Sequence, residues 1–124
     1  MPYIDGFVIA CPEANKEKFI EHARIADEVF MERGATRILE CWGDDVQDGH
    51  TTDFRMAVKA EPGEKIVFAW TTWPDRATVE ASHAKLMADP RMAEHFGNPD
   101  GSDMPFDGKR MIFGGFEPIV WKEA

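Results

Sequence analysis

The chain has 124 residues, 44% of them apolar and 30% charged, which fits a single domain, residues 1–124, with a real hydrophobic core. A formal net charge of −9, with the basic residues scattered singly among acids, argues against nucleic acid and against anionic membrane surfaces. Apolar runs such as Ile66 to Trp70 are far too short to span a bilayer, and the N-terminus lacks the basic flank of a secretory signal, so the expected location is the cytoplasm.

Tyr3 to Ala10 reads as the first strand, with Tyr3, Asp5, Phe7 and Ile9 on one face and Ile4, Gly6, Val8 and Ala10 on the other. Both faces are largely apolar, which predicts a central strand covered on both sides. Pro12 ends it, and Asn15 is placed to cap the next helix. That helix, about Lys16 to Arg33, sets Phe19, Ala23, Ala26 and Phe30 in one apolar stripe. Glu17, Glu21, Arg24 and Glu28 occupy the opposite face. His22 borders the stripe, and Gly34 is the expected left-handed stop.

The second strand, Thr36 to Gly43, runs into an acidic loop. The spacing of Asp44, Asp48 and Gly49 faintly follows a calcium loop. Val46 stands at the third position, however, and Arg55 at the twelfth, where a bidentate Glu is needed, so calcium is excluded. A short helix capped by Thr52 is expected to about Lys59, followed by a turn at Glu61-Pro62-Gly63-Glu64. Lys65 to Trp73 alternates cleanly as a strand. Pro74-Asp75 opens a helix to about Ala88, with Ala77, Ala81, Ala84 and Met87 on one side. Asp89-Pro90 starts a further short helix to about Phe96. Gly97 to Asp103 reads as loop, and the last strand is expected from about Met111 to Val120. Gly114-Gly115 inside it predicts a bulge or a close approach.

Strand, helix, strand, strand, helix, strand is the split βαβ, ferredoxin-like α+β pattern around an antiparallel four-stranded sheet. Two helices cover only one sheet face, yet the strands are apolar on both. A second copy of the chain, packed symmetrically, is the economical cover. The chain resembles the YbaA-like family, a domain of unknown function in the dimeric α+β barrel superfamily. The resemblance rests on YIDGFVIACP, ECWGDDVQDG with TDFRMAV, ADPRM and MPFDGKRMIFGGFE, and covers nearly the whole length. Cys11 stands where members of the family carry an aliphatic residue. The resemblance implies a homodimer with sheets packed face to face and no known activity. Superfamily relatives include cofactor-free monooxygenases, haem-degrading enzymes and small-molecule isomerases, so the fold says little about reaction type.

The stretch Ile38 to Asp45 is the candidate lip of a site, because Glu40 and Trp42 stand where a core strand would carry Val or Ile. If the Asp5 and Glu40 faces point away from the helices, two carboxylates and several aromatics line the space between the sheet and its partner. A carboxylate there is paired or has its pKa raised. Glu40 and Asp5 are accordingly the candidate catalytic residues, with a raised carboxylate acting as general base on a small carbon acid or phenol. Trp42, Phe7, Trp70 and Arg110 are the candidate ligand contacts, with Arg110 a partner for the acids. The alternative is a non-catalytic homodimeric module in which Asp5, Glu40 and Arg110 form a buried ion pair that only fixes assembly. Aromatics at strand spacing, Trp42, Trp70 and Trp73, also serve core or interface.

Two cysteines, Cys11 and Cys41, are too few for a disulfide framework and match no metal or redox spacing. Both are expected reduced and partly buried. Glu40, Asp44 and Asp45 beside Cys41 discourage a thiolate. His50, His83 and His95 form no zinc spacing, and no phosphate loop or nucleophile elbow occurs. No metal and no cofactor are expected.

Overall fold

A computed structural model describes residues 1–86, 88–96 and 104–124, and for residues 94–96 the backbone. Its elements are β1 (Tyr3–Pro12), α1 (Lys16–Glu32), β2 (Arg37–Trp42), α2 (Phe54–Ala57), β3 (Glu64–Trp73), α3 (Arg76–Leu86), α4 (Pro90–Phe96) and β4 (Ile112–Phe116). The sheet order is β2-β3-β1-β4, and every pairing is antiparallel. This is the ferredoxin-like α+β topology that the order of elements predicts.

One sheet face carries α1 and α3. Ile9, Cys11, Val67 and Ala69 pack there against Phe19 and Ala23 of α1 and against Phe106. Farther along the same face Trp73, fully buried, meets Val79 of α3, with Phe30 and Ile38 beside it. Burial of a ring that size is worth roughly 3 kcal/mol, which makes Trp73 a principal anchor of α3. Among the described residues the other face is covered at one end, where Val58, Val46 and Ala60 close over Ala10 and Ile66 and Phe54 of α2 meets Phe68 edge-on. Its remaining part holds Ile4, Val8, Phe68, Trp70, Ile112 and Phe116 around a concavity of about 950 Å³.

Local signals explain most boundaries, with some corrections. Gly34 takes φ 115 at the end of α1. Asn15 stands at the N-cap of α1 without capping it; its amide donates instead to the Pro105 carbonyl at 2.8 Å, tying the lead-in of β4 to the helix start. Asp53, not Thr52, caps α2, accepting from the Met56 N–H at 2.6 Å. Asp89 accepts from the Arg91 N–H at the start of α4.

α3 turns differently from the expectation. Ala77, Ala81 and Ala84 are exposed, while Val79 and Ser82 are buried. The single Val offers more apolar area to bury than any of the alanines, and it wins the inward position. Met87 and the loop at Gly97 to Asp103 lie outside the described residues. β4 is shorter than expected, stopping before Glu117 and Pro118, since proline cannot donate to a ladder. Its register with β1 is unbroken, so the two glycines make no bulge. They do permit a close approach, because a Cβ at Gly115 would run into the Tyr3 hydroxyl.

Candidate functional site

Alternation sets the side chains of β1 and β2, and the helices decide which face is which. Asp5, Phe7, Glu40 and Trp42 all lie on the helix side of the sheet, not in the space expected between two sheets. The reason is the core itself: Ile9, Cys11, Val67 and Ala69 pack on α1, and a period of two then takes Asp5 and Phe7 with them. Register carries Glu40 to Ala69 and Phe7 to Ala69 from either side, so Glu40 follows. Of the expected ligand contacts Trp70 lines the open face, and Phe7 borders the same concavity. Phe7 packs on the helix-side core and stacks on Phe113.

The two expected catalytic acids share a face but not a site. Asp5 lies in the row of Ile38 and Thr71, and Glu40 in the row of Ala69 and Phe7. Two strands across and two residues along separate their backbones by about 12 Å. Asp5 is 7% exposed, and its carboxylate stands 3.3 Å from His83 Nε2 of α3. Burial raises its pKa, against the opposing effects of His83 and the Trp73 indole N–H. Asp5 therefore anchors α3 to the sheet.

Arg110 partners neither acid. Its guanidinium grips Glu64 at 2.7 and 2.8 Å and donates to Asp107 at 3.0 Å and to the Lys59 carbonyl at 2.9 Å. Glu64 is 8% exposed, and the hydrogen bonds from Arg110 hold its carboxyl below the usual range. This clamp ties the lead-in of β4 to the start of β3. It corrects the expectation of an ion pair among Asp5, Glu40 and Arg110.

Glu40 has a partner that sequence reasoning passed over, Asp27 of α1. As a residue Glu40 stays exposed on the edge strand, but α1 crowds its carboxyl. The Asp27 and Glu40 carboxyls share a hydrogen bond. Burial, then the charge of Asp27, pushes Glu40 up to about 8, and burial raises Asp27 to about 6. Two acids this close hold one proton between them through neutral pH. A signal for Asp27 was present in the sequence: it falls four residues after Ala23, on the flank of the apolar stripe, whereas the other acids of α1 fall opposite.

The pair forms part of the wall of a groove of about 380 Å³ between α1 and β2. Phe19, Ala23 and Val67 supply apolar lining, Trp42 an aromatic wall, and Lys16 and Arg24 cations. Lys16 Nζ stands 5.5 Å from the centre of the Trp42 ring. The groove thus offers an apolar bed, a proton-sharing acid pair and a cation within one small volume. The thiols add little: burial pushes Cys11 up to about 11, and Cys41 is exposed rather than partly buried. Among the described residues no group of three or more His, Cys, Asp or Glu side chains is arranged to hold a metal ion, and no helix is long and apolar enough to cross a membrane.

Comparison with known proteins agrees with the fold. The chain is 52% identical over 120 residues to the uncharacterized protein YbaA of Escherichia coli, covering 97% of this chain and 98% of that one, and equally so to YbaA of Shigella flexneri. Among solved structures it is similar to a dimeric ferredoxin-like protein from an uncultured marine organism, with TM-score 0.54, 18% identity and full coverage of both chains. It is also similar to SnoaB, a cofactor-independent oxygenase from Streptomyces nogalater, with TM-score 0.55 and 13% identity over 97% of this chain and 95% of that one. Residues 2–108 match the family described as protein of unknown function (DUF1428), and with the YbaA relatives this establishes that the chain belongs to that family.

Proposed function

We propose that the chain binds a small, apolar-bodied weak acid such as a phenol or enol in the groove between α1 and β2. In this reading the Asp27–Glu40 pair exchanges a proton with it, without a cofactor. The observation that carries the reading is the hydrogen bond between two crowded carboxyls in the wall of a groove lined by Phe19, Ala23, Trp42 and Val67. A pair holding one proton both donates and accepts near neutral pH, the property required of a general acid–base. Glu40 keeps the catalytic role expected from the sequence, and Trp42 the role of ligand wall. Asp5, Phe7 and Arg110 leave the site, and Trp70 moves to an interface. SnoaB offers a precedent for cofactor-independent chemistry on this fold, an analogy of fold alone.

The open sheet face favours a second copy as its cover, with residues 1–124 forming one half of a two-fold barrel. Phe68, Ile112 and Phe116 are 44%, 45% and 59% exposed there, in a chain whose net charge of −9 would otherwise keep copies apart. Assembly through that face leaves the groove, on the opposite side of the sheet, accessible. Two free cysteines are in keeping with a reducing compartment such as the cytoplasm.

Titration of isotope-labelled protein with phenol, and with anisole as the probe lacking an acidic hydroxyl, tests the proton-exchange reading. Phenol should move amide signals of α1 and β2, with anisole weaker. The double variant Asp27→Asn/Glu40→Gln should lose about tenfold in phenol affinity, the worth of a hydrogen bond to a charged group. Signals that move elsewhere, or equal affinity in the variant, would overturn it.

A further inference from the structure

The groove has two chemically different ends. The Asp27–Glu40 pair occupies one, and Lys16, poised over Trp42, the other. Glu40 and Trp42 are two residues apart on one face of β2, a separation of about 7 Å. One benzene ring spans most of that step, and Lys16 lies beyond it, over Trp42. Lys16 is exposed and makes no ion pair among the described residues. Its resting contact with the indole, at an exposed site, is a weak one that a ligand carboxylate would readily replace or reinforce.

Charge agrees with this polarity. Lys16 and Arg24 bring two positive charges to the lining, while the carboxyl pair, with its shared proton, brings one negative. The lining of the groove therefore carries an excess of one positive charge in a chain of net charge −9. A neutral phenol leaves that charge unmet, and a dianion overcompensates it. An ammonium ligand would meet the acids but repel Lys16. A monoanion satisfies both ends.

Resting on the reading of the groove given above, we propose that its ligand class is a para-substituted aromatic monocarboxylate. The phenolic hydroxyl lies at Asp27 and Glu40, the ring lies on the apolar bed of Phe19 and Ala23 beside Trp42, and the carboxylate is held by Lys16. Lys16 is thus a specificity-determining residue, selecting for the anion, while the acid pair handles the proton.

The test compares the affinities of phenol and 4-hydroxyphenylacetate, read from the same amide signals, in the wild type and in Lys16→Met and Lys16→Arg. The expected result is that 4-hydroxyphenylacetate binds about tenfold tighter than phenol at low salt, one charge-assisted contact. Lys16→Met should collapse that ratio to near one, Lys16→Arg should restore most of it, and added salt should erode it. If phenol binds in the groove but the carboxylate adds nothing, or adds as much in Lys16→Met, the anion assignment is overturned and the proton-exchange reading stands. If neither probe moves the groove signals, both fall. Lys16 is an exposed residue at the first position of α1, so its variants are expected to fold, and an unchanged far-ultraviolet spectrum will check this.

Discussion

Glu40→Gln keeps the shape of the side chain and removes its charge, and the structure sets what should follow. The hydrogen-bond partner of Glu40 is Asp27, another acid, and none of the ion pairs among the described residues includes Glu40. The substitution therefore strands no cation. Burial and Asp27 raise the Glu40 pKa from 4.5 to about 8, so the folded chain holds a proton that the unfolded chain has released. A raised carboxyl leaves wild-type stability complete below about pH 4.5 and lowers it as pH climbs toward 8. Unscreened, that shift would correspond to about 5 kcal/mol. Glu40 is exposed on an edge strand, and screening by water reduces the expected effect to about 1 kcal/mol. Asp27, also raised, acts in the same direction at somewhat lower pH, and the cations that line the groove beside the pair are Lys16 and Arg24. Urea unfolding at about pH 5 should give nearly equal stabilities for the two proteins. Near pH 8.5 the variant should be the more stable, by about 1 kcal/mol. A loss of about 2 kcal/mol or more at neutral pH would show that a buried cation had been left unpaired, and would refute the reasoning.

Arg110→Met should behave in the opposite way, because it leaves the Glu64 carboxylate buried with, among the described residues, only the Glu61 N–H still donating to it. A loss of about 3 kcal/mol is expected at neutral pH. Since the folded pKa of Glu64 is depressed, the clamp stabilises above the unfolded value and fades as pH falls through the folded one, so the deficit should narrow in acid. A deficit that does not change with pH would exclude Glu64 as its cause. Sedimentation at low micromolar concentration should give twice the 14.0 kDa chain mass, and Trp70→Lys, on the open face, should shift it toward monomer. A well-folded wild-type monomer would remove the proposed barrel.

Much of the fold is legible in the order and period of the side chains. Ile66, Phe68 and Trp70 alternating with Val67, Ala69 and Thr71 define β3, and the four-residue and three-residue steps of Phe19, Ala23 and Ala26 define α1. Asp89-Pro90 starts α4 where the capping preference of Asp and the fixed φ of proline say it should. These are local signals, and a local signal needs no knowledge of distant residues. The order of such elements then leaves few topologies to choose from.

The site needed the third dimension. A period of two places Asp5 with Phe7 and Glu40 with Trp42, but it does not say which face meets the helices. In β1 both faces are apolar, so the pattern carries no preference. The choice follows from packing Ile9, Cys11 and Val67 on α1, contacts that join residues far apart in the chain. The same holds for partners. Nothing near Arg110 in sequence points to Glu64, and nothing near Glu40 points to Asp27, because charge pairing depends on distances that only the assembled sheet and helix create. The sequence alone determined the strands, the helices and an acid placed where a strand should be apolar. Tertiary packing decided that this acid faces a second acid across a groove, and not a cation between two sheets.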